Sequence, residues 1–267
     1  CDMAEMVPVE CWAWAIRSLK EKYPDIIFIA EVYNPSLYRD YIKKGKMDYL
    51  YDKVQLYDTI KHVMKGHGST DNIPQIQDDL KDIEHHMLHF LENHDEERIA
   101  SPNFAGSAAK GKPAMVVSAT ISTSPTLVYF AQEFGEAGEE NAGFGSPTRT
   151  SIFDYVGLPT LQRWVNDKKF DGGQSKDEEK TLRDFYKRLL NLTINSSALA
   201  ENYQDIHHFN RQNSEWYNDK VLSFVRWSEN EKLIVVSNFN AENTYGFELG
   251  LPQDIIEKWN LKDGKYQ

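Results

Sequence analysis

Met87-Leu88-His89-Phe90-Leu91 runs without a break into Glu92-Asn93-His94-Asp95, and this stretch decides the fold. A strand with one face in water alternates apolar and polar residues, whereas a strand buried on both faces reads as a continuous apolar run. The five-residue run is of the second kind. It stops abruptly at four side chains that can hydrogen bond or ionise, so the strand's C-terminal end carries the polar chemistry.

Three further segments have the same form. Ile26-Ile27-Phe28-Ile29-Ala30 ends at Glu31, Met47-Asp48-Tyr49-Leu50-Tyr51 follows a turn at Gly45, and Thr126-Leu127-Val128-Tyr129-Phe130 leads into Ala131-Gln132-Glu133. Helical stretches separate them. Pro8 to Lys22 places Trp12, Ile16 and Leu19 at helical spacing, with Pro at its start and Lys at its end. Ser36 to Lys44 and Leu56 to Met64 are shorter helices, and the small residues between 107 and 122 suit close helix–strand packing. Alternation of buried strands with helices predicts a parallel α/β architecture with its site at the C-terminal strand ends.

Downstream, Gly135 to Gly173 is Gly-rich and irregular, with Phe144, Phe153, Tyr155 and Trp164 embedded in it, and reads as a long functional loop with short helical pieces. Asp177 to Leu192 predicts an amphipathic helix facing inward through Leu182, Phe185, Leu189 and Leu192. Beyond about residue 200 the pattern changes to short strands at Val221–Trp227, Leu233–Asn238 and Tyr245–Leu249, separated by Asn/Glu-rich turns. Two domains are expected, 1–202 and 203–267, the second antiparallel.

Bulk properties narrow the function. The chain has 267 residues, 30 basic and 41 acidic, for a net charge of −11. That balance disfavours nucleic acid, whose phosphates need Lys/Arg neutralisation. No apolar run approaches the roughly 18–20 residues of a membrane span. The 6 Trp and 14 Tyr suit a neutral sugar ligand as well as they suit a core. Two cysteines, Cys1 and Cys11, imply no disulfide framework. His85-His86 and His207-His208 lack Cys/His partners at ligand spacing, so no metal is assigned. Trp12 and Trp14 on the first helix are expected to be packing residues.

Three acidic residues stand where apolar runs end or helices begin: Asp2, Glu31 and Asp95. Glycoside hydrolysis generally uses two carboxylates, one as nucleophile or base and one as a proton donor whose pKa burial raises. The segments Asp2-Met3-Ala4-Glu5-Met6-Val7-Pro8, Ile29-Ala30-Glu31-Val32-Tyr33 and Glu92-Asn93-His94-Asp95 resemble, in order and spacing, three signature regions of the α-amylase superfamily (glycoside hydrolase family 13). Leu127-Val128-Tyr129-Phe130-Ala131-Gln132-Glu133 resembles that family's last barrel strand.

The resemblance implies the C-terminal part of a (β/α)8 TIM barrel, incomplete in this chain, followed by a small antiparallel β-sandwich domain. It implies a retaining hydrolase of α-1,4-linked glucans, with Asp2 as nucleophile, Glu31 as acid/base and Asp95 holding sugar hydroxyls. His94 would bind the same sugar, and Glu5 and Tyr33 would line the leaving-group side. Retention would place the Asp2 and Glu31 carboxyls about 5–5.5 Å apart. No cofactor is implied; calcium belongs to a longer enzyme, with no ligands assignable here.

The family's earlier signature region, and the Arg that usually stands two residues before the nucleophile, are not in this sequence. The chain is therefore expected to be a fragment whose partner is the N-terminal part of the same enzyme, inactive by itself because four strands do not close a barrel. The α-1,6-glucosidases, pullulan-cleaving enzymes and glucanotransferases of the family share these regions, so linkage preference stays open. A catalytically inactive glycan-binding or scaffolding homologue would be marked by a lost carboxylate. An unrelated barrel would fail to bring Asp2, Glu31 and Asp95 to one place.

Overall fold

The computed structural model describes residues 1–138, 148–150 and 157–264. Phe144, Phe153 and Tyr155 lie outside the described residues. In chain order the first part contains α1 (Val9–Lys20), β1 (Ile29–Ala30), α2 (Tyr38–Lys43), β2 (Tyr49–Tyr51), α3 (Asp58–Met64), α4 (Asn72–Asp79), β3 (Met87–Phe90), α5 (Lys112–Thr120), β4 (Thr126–Leu127), α6 (Pro159–Val165) and α7 (Asp177–Asn195). The second contains β5 (Asn202–Asp205), α8 (His207–Asn213), β6 (Val221–Trp227), β7 (Lys232–Asn238) and α9 (Gln253–Trp259).

Among the described residues, the strands β1 to β4 form one parallel sheet in sequence order, each paired with its neighbours in the chain. Consecutive parallel strands with helical crossovers are the arrangement of part of a (β/α) barrel. Burial follows the sequence reading: all four residues of β3 are buried, and Leu50 of β2 and Ala30 of β1 are fully enclosed. The core between sheet and helices includes Ile16, Tyr38, Ile60, Phe90, Met115 and Val117. Phe90 stacks on Tyr57 at 4.9 Å between ring centroids.

The strands are shorter than the apolar runs that announce them. Only Ile29 and Ala30 of the 26–30 run are in the ladder, and Ile27 is 61% exposed, because β1 is an outer strand. Cys1 lies against it, donating from its amino group to Ile29 O at 2.7 Å and accepting from Glu31 N at 3.1 Å. That pair of bonds is what a parallel neighbour makes across one residue. At the other margin β4 stops at Leu127, and Phe130 is 46% exposed.

Several expectations are corrected. Trp14 is not a packing residue: it is 70% exposed, whereas Trp12 donates its indole N–H to Ala4 O at 2.9 Å. The buried face of α7 is Leu182, Tyr186 and Leu189; Leu192 has rotated into solvent. His85 and His86 sit on a short 3₁₀ turn just before β3. Among the described residues Tyr245–Leu249 pairs with no strand, and the third strand of the tail is β5 instead.

The tail is a three-stranded antiparallel sheet, β5-β6-β7, with β6 central and almost wholly buried. One face of β6 presents Leu222 and Phe224 to the main core; the other presents Val225 to Ile206, Ile255 and Trp259. Arg226, fully buried, reaches across with hydrogen bonds to Thr120 O, Leu199 O and Asn202 O at 2.7–2.9 Å. Among the described residues no helix is long and apolar enough to cross a membrane.

Candidate active site

The site forms where β1 and β3 end. Glu31 follows directly on Ala30, and its side chain is buried. Met3 adopts a left-handed backbone (φ 44°), an uncommon conformation for a residue with a side chain. This turn after Asp2 aims the Met3 N–H at Glu31 Oε2, 3.1 Å away. The exposed Asp2 carboxyl stands next to Glu31.

On the β3 side, Asn93 folds its own loop. Its Oδ1 accepts from the N–H of Asp95 at 2.9 Å and of Glu96 at 2.8 Å, which turns the chain so that His94 and Asp95 face Glu31. His94 Nε2 lies 3.4 Å from Glu31 Oε1 and 3.4 Å from Asp95 Oδ2. Glu31, His94 and Asp95 each present a donor atom within 4.8 Å of the others, a spacing that a sugar hydroxyl or a cation could span.

Burial lifts the Glu31 carboxyl above the ordinary carboxylate range; the Met3 N–H and His94 oppose the shift, and the Asp2 carboxyl adds to it. A buried carboxyl that holds its proton more tightly than usual is suited to donating it. Tyr33 and Tyr51 flank the cluster, and both phenols are pushed upward, first by burial and then by the Glu31 and Asp95 charges.

Asp2, Glu31, His94 and Asp95 thus come together. Tyr33 stands beside them, while Glu5 has a second occupation: its Oε2 accepts from the N–H groups of Tyr33 at 2.9 Å and Asn34 at 3.0 Å, bracing the chain after Glu31. Sequence reasoning missed Tyr51, which lay in a strand read only for its apolarity, and missed the partners of Glu92 and Glu96. Arg98 pairs with Glu92 at 2.7 Å, and Lys53 and Lys61 approach Glu96 at 3.2 and 3.7 Å.

Comparison with known proteins bears on the fold. Residues 213–264 match the α-amylase C-terminal all-beta domain. The structure is similar to an α-amylase from Lactobacillus plantarum, at 18% identity and TM-score 0.57, covering 88% of this chain and 50% of that one. It is similar to an Anoxybacillus α-amylase at 16% identity and TM-score 0.63, covering 90% and 47%. A third likeness is to the cyclic α-maltosyl-(1→6)-maltose hydrolase of Arthrobacter globiformis in complex with maltose, at 15% identity and TM-score 0.59, covering 89% and 47%. The chain spans about half the length of these structures. No curated protein sequence matches it. The fold is shared with these α-amylases over about half their length, and its C-terminal part matches their all-beta domain.

Proposed function

We propose that this chain, which carries the α-amylase fold and its C-terminal β domain, supplies the catalytic carboxylates of a longer retaining glycoside hydrolase acting on α-1,4-linked glucans. The observation that carries the reading is the convergence of Asp2, Glu31, His94 and Asp95 from three separate stretches of sequence. In this reading Glu31 protonates the glycosidic oxygen while Asp2 attacks the anomeric carbon from the opposite side of the sugar. The bond to the leaving group breaks as the bond to Asp2 forms. Glu31, now ionised, takes a proton from water, which displaces Asp2 and restores the α configuration. Asp95 and His94 hold ring hydroxyls and favour the flattened, oxocarbenium-like sugar.

The exposed margins of the parallel sheet support a longer enzyme. Ile27 at β1 and Phe130 after β4 are where a barrel's remaining strands would continue the ladder. The presence of all three carboxylates favours an enzyme over an inactive glycan-binding homologue. The α-1,6-cleaving and transferring members of the family are separated by the products they form.

The test is hydrolysis of an end-blocked maltooligosaccharide by the full enzyme, with Glu31→Gln alongside. Loss of about 10²–10⁴-fold in kcat is expected for the variant, the range of general acid–base catalysis. A variant as active as its parent would remove Glu31 from the mechanism.

A further inference from the structure

Glu92 and Arg98 bracket the loop that carries His94 and Asp95, and both are almost completely buried (1% and 0% exposed). The Glu92 carboxylate closes the loop on itself: Oε1 accepts from Ile99 N at 2.7 Å and Oε2 from Arg98 Nη1 at 2.7 Å. Arg98 then reaches outward. Its Nη1 also donates to Phe130 O just beyond β4 at 2.9 Å, and its Nε to Thr150 Oγ1 at 3.0 Å. Its guanidinium lies 4.7 Å from the Tyr129 ring centroid and 5.1 Å from that of Phe130. Its backbone N–H donates to Thr148 O at 2.8 Å, and Glu97 bridges antiparallel to Arg149. On the opposite side, Lys53 after β2 holds Glu96.

We propose that Glu92 and Arg98 are a positioning couple that fixes the pitch of the His94–Asp95 loop and ties it to the end of β4 and the segment Thr148–Thr150. The proposal rests on the reading of Glu31 and Asp95 as sugar-processing groups. Neither Glu92 nor Arg98 touches the carboxylate cluster; they act through the loop between them. Charged groups removed from water this fully are costly unless matched; both Glu92 oxygens are bonded and Arg98 donates from Nη1 and Nε, while its Nη2 has no hydrogen-bond partner among the described residues. A lysine keeps the charge but gathers its donors on one nitrogen, losing the planar fork that reaches Thr150 from Nε while Nη1 serves Glu92 and Phe130 O. Rigid support of this kind matters because displacement of a catalytic group by about 1 Å can cost about 10² in rate.

The experiment uses the full enzyme with Arg98→Lys, Glu92→Gln and the double variant Glu92→Gln/Arg98→Met, which removes both buried charges together. For each, kcat and KM on a maltooligosaccharide are measured with the titration of Glu31 by carbon NMR. The expected result is a fall in kcat of about 10²-fold with KM changed little, and a Glu31 titration displaced upward as His94 withdraws from it. A folded variant with parental kcat and parental Glu31 titration would overturn the proposal. So would failure of all three to fold, since the couple would then be core structure alone. If the parent enzyme cleaves no α-glucan but the variants still displace the Glu31 titration, the glucan reading fails and the couple stands.

Discussion

At the scale of single residues, the proposed chemistry turns on how differently two carboxyls are housed. Glu31 is buried with its proton favoured, and the neighbouring Asp2 carboxylate contributes to that preference. Replacing Asp2 by Asn removes the contribution, so Glu31 should titrate lower in Asp2→Asn than in the parent, as carbon NMR would show. No change would mean that Asp2 does not stand beside Glu31. The convergence of Asp2, Glu31, His94 and Asp95 was legible in the sequence because Glu31, His94 and Asp95 sit in short motifs at the ends of apolar runs and Asp2 opens a motif that leads into a helix. Glu92 was quoted within that motif yet its role was hidden, since its partner Arg98 is defined by burial and not by spacing. Trp14 was misjudged because helical spacing shows which residues share a face and not what covers it. Phe224→Ala, at a fully buried site, should cost about 3–5 kcal/mol. Trp14→Ala should stay within about 0.5 kcal/mol in this chain by denaturant unfolding.

At the scale of elements, the parallel strands were recoverable because burial on both faces leaves an unbroken apolar signature. Their lengths were not, because a ladder ends where its neighbour ends; Ile26 and Ile27 have strand composition but no ladder partner. The tail shows the converse. Tyr245–Leu249 has strand-like alternation and stays unpaired among the described residues, while Asn202–Asp205, polar and four residues long, becomes a strand by pairing along β6. Arg226 on β6 holds that junction by donating to carbonyls of α5, the turn after α7, and β5. Arg226→Met should destabilise the chain by about 3 kcal/mol, read as a lower denaturant midpoint at unchanged slope. A midpoint equal to the parent's would show that those carbonyls find other donors.

For the whole molecule, the barrel part and the tail share one apolar core and are latched by polar contacts as well. Thr70 donates its hydroxyl to Val221 O at 2.8 Å. Asp71 receives His207 Nε2 at 2.7 Å and Arg211 Nε at 2.8 Å, and the Tyr217 hydroxyl meets His207 Nδ1 at 3.0 Å. Burial depresses the His207 pKa, against the pull of Asp71. Because the folded value lies below the unfolded one near 6.5, the unfolded chain binds more protons in the window just below that pH. The stability His207 contributes is therefore complete above about pH 6.5 and declines as pH falls through its folded value. Unfolding free energy measured from pH 7.5 to 5 should drop more steeply for the parent than for His207→Gln. Parallel curves would remove His207 as the source.

The central claim is that Asp2 becomes bonded to the sugar, and covalent trapping tests it most directly. The full enzyme would be treated with a 5-fluoro-α-glucosyl fluoride, which forms the glycosyl–enzyme bond faster than water breaks it, and its peptides would be mapped by mass. One sugar on the peptide containing Asp2, absent in Asp2→Asn, is the predicted result. A sugar on another carboxylate, or turnover of an α-glucan with inversion and no label at Asp2, would contradict the account.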